Sequence, residues 1–266
     1  MDFPAPWQER RLADGDWLRA DFAELTLIVL SVMEEWRVAA VGPEWRERLD
    51  SLESGGRLPE DLPWGRWDRG SNDRGLNFRP IFPDRPVIVR PRAPLHLSPR
   101  AKAVFYVGIP AWIELSADLE GTRRVLSSWP SVRLSNSWHG VPTAGELCYA
   151  SHTHARRRYV TDEWKDFDIA TTVEISNQSD RTLPFERLFF ETDHLALFLH
   201  GSRLWSNHAR IRASEGDAEL NGVAFSPKPH GDAAEARTIS AARKGIVRRS
   251  ILRSAFSTVL GTFQDD

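Results

Sequence analysis

The 266-residue sequence has little of several residue types, and each shortage excludes a class of protein. It contains one cysteine, Cys148, which excludes both an intramolecular disulfide framework and a cysteine-rich zinc site. Its longest apolar run, residues 25–33, is far shorter than the ~20 residues that a membrane-spanning helix requires. The net charge is −2, which predicts no general attraction to nucleic acid or to an anionic membrane.

The amino-terminal residues, MDFPAPWQERR, also lack the charged and then apolar pattern of a signal peptide. We therefore expect a cytoplasmic protein. With 41% hydrophobic and 27% charged residues, the composition is typical of a globular protein with a sizeable core. Tryptophan is abundant, at 11 residues, and large aromatic side chains contribute to cores and to binding surfaces alike.

Residues 81–232 are predicted to form the main domain. This segment consists of short runs rich in β-branched and aromatic residues, separated by Pro, Gly, Asn and Asp. No stretch typical of a helix lies between these runs. The pattern predicts a mainly β fold, an antiparallel β-sandwich of the jelly-roll type.

The segments on either side differ in character. Residues 1–60 are predicted to form a small element that packs on or extends the β domain. Within it, residues 17–41 favour a β-hairpin over a helix, and a short helix begins near Pro43. Residues 61–80 resemble a linker loop. Residues 233–266 predict a basic amphipathic helix and tail, with Val247, Ile251 and Ala255 at helical spacing.

Three stretches carry a resemblance to a known family. They read IPAWIEL (residues 109–115), RLSNSWHGVPTAGELCYASHTHAR (133–156) and LALFLHGSRLW (195–205). The sequence resembles the uncharacterised archaeal and bacterial family called domain of unknown function four hundred thirty-two, over residues 80–260. The resemblance implies a mostly β protein with no assigned activity, and a weak association with the gene neighbourhoods of small mechanosensitive channels. It supplies no catalytic residues.

His152 and His154 are the main candidates for a metal site. Two residues apart on a strand, they share a face with Cα atoms about 6.5–7 Å apart, which suits two ligands of one ion. Cys148 is about 13 Å from His152 along the same strand, too far for a shared ion. The pattern resembles the first motif of cupins, although the spacing and the expected glutamate differ. Further ligands would come from elsewhere, with His139, Glu191 and His194 as candidates.

Other residues allow alternative interpretations. Cys148 is either a nucleophile assisted by His139 or His152, or a small buried hydrophobic residue. Trp138 and His139 form either the mouth of a ligand pocket or an ordinary turn between strands. Glu191 and Asp193 resemble a carboxylate pair, which is more often a solvated or arginine-paired edge.

These observations favour a non-catalytic binding or interaction module, regulatory to a membrane channel or another partner. No known catalytic or nucleic-acid-binding motif is present. The basic tail, through Arg248, Arg249 and Arg253, is predicted to contact a protein partner or to touch a membrane surface. No cofactor is expected for such a module. The first alternative to a binding module is a cupin-like enzyme that uses a divalent metal bound to His152 and His154. The second alternative is sugar binding, through Trp64, Trp67 or Trp138.

Overall fold

The computed structural model describes residues 6–52, 56–69, 73–119, 121–140, 142–160, 163–213 and 223–244. It is mainly β. The first ten strands are β1 (Trp17–Phe22), β2 (Leu25–Val32), β3 (Glu35–Val41), β4 (Trp64–Asp68), β5 (Asp73–Ile81), β6 (Val87–Pro91), β7 (Leu95–Leu97), β8 (Lys102–Pro110), β9 (Trp112–Leu119) and β10 (Thr122–Pro130). The others are β11 (Ser135–His139), β12 (Glu146–Thr153), β13 (Asp168–Asn177), β14 (Leu183–Phe185), β15 (Leu188–Phe190), β16 (Leu197–His200), β17 (Arg203–Ser206), β18 (Ala209–Ala213), β19 (Val223–Phe225) and β20 (Arg237–Ser240).

Helical structure is scarce. Short 3₁₀ turns occupy Pro43–Trp45, Thr192–His194 and Gly231–Ala233, and a short α-helix, α1, occupies Arg46–Asp50. The helix predicted to begin near Pro43 is therefore confirmed, in a shorter form. No helix in the described ranges has the length and apolar character needed to cross a membrane.

The strands of the described ranges form five sheets. Strands β1 to β4 make an antiparallel sheet in chain order, β10, β9 and β5 make a second, and β7 pairs with β14. A third sheet has the order β11-β12-β6-β15. The largest sheet is centred on β13, which pairs with β8 along one edge and with β17 and β18 along the other. The predicted antiparallel arrangement fails at three pairs, because β12–β6, β13–β17 and β13–β18 are parallel.

The apolar run of β2 is continuous because both faces of the first sheet are buried. Leu27 and Val29 enter the main core, and Ile28 enters a second core that includes Leu49 of α1 and Leu62. Alternate residues of a strand point to opposite faces, so the middle of a strand that is covered on both sides is apolar at successive positions. The predicted hairpin over residues 17–41 is confirmed in the pairing of β2 with β3.

The main core joins the amino-terminal sheet to the rest of the protein. The ring centroid of Phe22 in β1 is 5.4 Å from that of Phe78 in β5 and 5.4 Å from that of Phe167, just before β13. Trp36 of β3 is completely buried in the same core. Full burial of side chains of this size contributes about 2–3 kcal/mol each.

Two segments differ from their predicted structure. Residues 61–80, expected as a linker loop, contain β4 and nearly all of β5. The carboxy-terminal helix, expected from residue 233, does not form between residues 237 and 240, where β20 pairs with β16. The β-branched pair Thr238–Ile239 suits an edge strand. The rest of the predicted helix, with Arg248, Arg249 and Arg253, lies outside the described residues.

Asn177, at the end of β13, connects this strand by hydrogen bonds to the turn after β7 and to the turn after β13. Its buried Nδ2 lies 3.1, 3.0 and 2.7 Å from the carbonyl oxygens of Leu97, Ser98 and Arg181. Its Oδ1 accepts hydrogen bonds from the backbone N–H and the hydroxyl of Ser179, at 3.0 and 2.8 Å. One side chain thus satisfies backbone groups of the turn after β7 and of the turn after β13.

We expect Asn177→Ala to lower the free energy of unfolding by about 2–4 kcal/mol, because it leaves several buried polar groups without partners. Urea denaturation measures the change. The control is Gln178→Ala, since Gln178 is the exposed neighbour and its backbone bond to Ala213 does not depend on the side chain. Equal stability of the two variants would contradict the role of Asn177.

Candidate functional site

A cleft of about 340 Å³ lies where β8, the end of β12 and the start of β13 meet. Its floor includes Gly108 of β8 and the buried Ser151 and Thr153 of β12. Its ionisable lining is drawn from four separate stretches of chain and comprises Arg92, Arg133, His152, His154, Arg156, Glu163, Lys165 and Asp168. A cleft of this size suits a small molecule.

Both histidines of the predicted pair line this cleft. Strand β12 runs parallel to β6, with His152 opposite Arg90. Ser151 and Thr153 are buried and His152 between them is exposed, as strand alternation requires. His154, the first residue after β12, is also exposed. Both histidines thus lie at the exposed end of β12, and the shared face stays a prediction because His154 follows the strand.

The chain turns sharply just after His154. Ala155 has a left-handed backbone, with φ of 44°, and its N–H donates to Thr153 Oγ1 at 3.3 Å. Arg156 then exchanges two backbone hydrogen bonds with Tyr106 of β8, at 2.7 and 3.1 Å. This turn closes one end of the cleft and fixes the position of His154.

The described part of the chain contains no group of three or more His, Cys, Asp or Glu side chains arranged to hold a metal ion. Two histidines alone fall short of the three protein ligands that catalytic zinc sites use. Of the other candidate ligands, His194 Nε2 lies 3.7 Å from Glu191 Oε2, and neither lines the cleft. The geometry therefore gives the metal hypothesis no third ligand in this part of the chain.

Asp168, the first residue of β13, lies in the cleft and was not predicted from the sequence. Its carboxylate is largely buried, and burial raises its pKa to about 6, although Lys165 and Arg203 act in the opposite direction. Its Oδ2 packs against Gly108, where an added Cβ would lie 2.9 Å from that oxygen. The one signal in the sequence is the placement of an acidic residue directly before the apolar strand IATTV.

The backbone just before Asp168 is also strained. Phe167 has a φ of 66°, a conformation that costs a residue with a large side chain about 1–3 kcal/mol. Its ring is held edge-on against Trp7 and Phe22, with centroids 5.8 and 5.4 Å away. The aromatic core thus maintains a strained residue at one border of the cleft, and Ala155 provides a second such residue at the other.

The cleft has an excess of positive charge. Arg156 is paired with Glu163, and its Nη1 also donates to the Glu163 carbonyl oxygen at 3.1 Å. Arg92, Arg133 and Lys165 are exposed and form no ion pair with any acidic side chain in the described ranges. Against these three cations stands the single carboxyl of Asp168, so the cleft favours a negatively charged ligand.

The other predicted site residues lie elsewhere. Trp138 and His139 are consecutive in β11, so they point to opposite faces of the sheet. Trp138 is 49% exposed, and His139 is buried with its ring stacked on Phe189 at 4.1 Å. Neither lines the cleft with His152 and His154.

Cys148, Glu191 and Asp193 form contacts with other protein groups outside the cleft. Cys148 is fully buried, its thiol donates to the Ser137 carbonyl oxygen at 3.4 Å, and burial together with Glu146 raises its pKa. A thiol in such a setting is a poor nucleophile. Asp193 lies in a 3₁₀ turn rather than on a strand and pairs with Arg243 at 2.7 Å.

The tryptophans proposed for sugar binding are not brought together. Trp67 is half-buried and its Nε1 donates to the Leu126 carbonyl oxygen at 3.0 Å. Trp64 packs on the second core and, with Trp17, lines a separate pocket of about 480 Å³ against residues 56–60. The three candidates therefore belong to three different surfaces.

We expect Asp168→Asn to raise the free energy of unfolding by ~2 kcal/mol at alkaline pH. In the folded protein the pKa is about 6, against the ordinary 3.8, so the wild type loses stability as pH rises between these values. The difference between variant and wild type should therefore vanish at acid pH, where both side chains are neutral. Thermal denaturation over a pH series measures it.

The control for this prediction is Asp180→Asn, since Asp180 is 69% exposed and pairs with Arg100 at the surface. Asp180→Asn should change the free energy of unfolding only slightly at every pH. A stability difference for Asp168→Asn that does not change with pH would show that the carboxyl of Asp168 is not held above its ordinary pKa.

Comparison with known proteins identifies a family. No curated protein and no solved structure matches the chain significantly. The model of a family described as protein of unknown function, DUF432, matches residues 6–261. The match includes β12 and all the residues that line the cleft. The chain therefore belongs to the DUF432 family, whose function is unknown.

Proposed function

We propose that the protein is a binding module that accepts a small anionic ligand in the cleft between β8, β12 and β13. The observation that carries the proposal is the set of three cations, Arg92, Arg133 and Lys165, around one cleft, none of which forms a close ion pair with a described acidic side chain. Charges left unpaired at the mouth of a concave site favour binding of an oppositely charged molecule.

The types of the cationic residues indicate the kind of anion. Two of the three are arginines, and the planar guanidinium donates two parallel hydrogen bonds to a carboxylate or a phosphate. His152 and His154 add ring nitrogens to the lining of the cleft. A phosphate or carboxylate group held by these residues would be recognised by geometry as well as by charge.

The proposal keeps the cytoplasmic binding role expected from the sequence and assigns it to the cleft rather than to the tail. It also keeps the β-sandwich, of jelly-roll type, as the arrangement of the layers. A single main core that draws side chains from β2, β5, β8, β12 and β13 supports such stacking. Regulation of a partner, such as a membrane channel, would then act through occupancy of the cleft.

We expect propyl phosphate to bind the wild type at millimolar concentration, and Arg92→Glu or Arg133→Glu to weaken its binding at least tenfold. The reversal of charge replaces an attraction with a repulsion and removes the paired donors. Titration followed by NMR or calorimetry gives the dissociation constants.

The matched control is Arg212→Glu, because Arg212 is an exposed arginine on β18, away from the cleft. Its affinity for propyl phosphate should equal that of the wild type. If all three variants lost the same affinity, binding would depend on overall charge and the cleft would not be the site.

A further inference from the structure

We propose that the ligand of the cleft is a hydroxylated anion, such as a sugar or polyol phosphate, and that Asp168 accepts a hydrogen bond from one of its hydroxyl groups. This inference rests on the proposed function. It specifies the chemistry of the ligand beyond its anionic group. It makes Asp168 a specificity-determining residue.

The first observation is that Asp168 lacks a partner. Within the described residues its side chain accepts no hydrogen bond, and only longer-range attraction from Lys165 and Arg203 acts on it. Buried carboxyl groups are normally hydrogen-bonded, since withdrawing them from water without compensation is unfavourable. Asn177, at the other end of the same strand, has all its polar atoms satisfied.

The second observation is the close approach of Gly108. A Cβ at this position would lie 2.9 Å from Asp168 Oδ2 and 3.1 Å from Trp164 Cζ3. Any larger residue would press on the carboxylate or on the indole ring. Both Gly108 and Asp168 line the cleft, so the absent side chain leaves the acceptor oxygens accessible from inside it.

The third observation is the backbone. Phe167 and Ala155 both hold left-handed conformations, and they border Asp168 and His154 respectively. Strain of this kind persists where surrounding packing enforces it, and it concentrates at ligand sites. Here the strain lies next to two of the polar side chains that line the cleft, His154 and Asp168.

The charge around Asp168 selects a hydroxyl rather than an amine as the donor. Lys165 and Arg203 already surround the carboxyl with positive potential, and Arg92 and Arg133 add to it at the cleft. A cationic ammonium group would be repelled by these side chains, whereas a neutral hydroxyl would not. The cleft thus provides cations for an anionic group and one acceptor for a neutral donor.

The test compares three phosphate esters of similar size: glycerol 1-phosphate, propyl phosphate and 2-aminoethyl phosphate. We expect the wild type to bind glycerol 1-phosphate about tenfold more tightly than propyl phosphate, through the hydrogen bond to a charged acceptor. Asp168→Ala should abolish this preference. Asp168→Asn keeps the shape of the side chain and one acceptor oxygen, and it should reduce the preference for glycerol 1-phosphate. This variant tests the prediction if the alanine variant does not fold.

The matched control is Arg92→Glu, which should weaken both esters equally and leave the preference unchanged. Equal binding of both esters by the wild type would overturn the role of Asp168 while the proposed anion site stood. Tighter binding of 2-aminoethyl phosphate would overturn the assignment to hydroxyl groups. Failure of the wild type to bind any of the three would overturn the proposed function as well.

Discussion

The antiparallel ladder between β13 and β8 is the constraint on which the other parts of the structure depend. It runs from Asp168 opposite Pro110 to Ser176 opposite Lys102, and the free edge of β13 is taken by β17 and then by β18. A strand paired on both edges leaves few backbone groups for any other partner. The loops that carry the cleft and those that carry the Asn177 cluster are therefore attached to a single rigid strand.

The polar side chains at the two ends of β13 have contrasting surroundings. At one end, the amide of Asn177 is completely buried and completely hydrogen-bonded. At the other, the carboxyl of Asp168 is largely buried and has a raised pKa. Stability alone would not select the second arrangement, since a neutral side chain there would lower the cost of folding. Sites that sacrifice stability in this way are commonly functional.

Local pattern predicted part of this structure. The pairing of β2 with β3 and the short helix near Pro43 both follow from signals within a few residues. The parallel pairing of β12 with β6 does not, because it joins segments far apart in the chain and has no local signature. The sequence does not predict the site at Asp168 for the same reason, because its carboxylate lies against Gly108 of another strand. The linker loop predicted for residues 61–80 is wrong, because the frequent turn-forming residues there give a stronger local signal than the aromatic residues of two short strands.

The parallel pairing of β12 with β6 has a consequence for the order of folding. Local hairpins such as β2–β3 close small loops and form early, whereas parallel pairs between distant segments require costly loop closure and form late. The cleft takes its residues from β12, from Arg92 directly after β6, and from β8 and β13. Its completion is therefore a late event, and a molecule bound there would be held only by a chain that has finished folding.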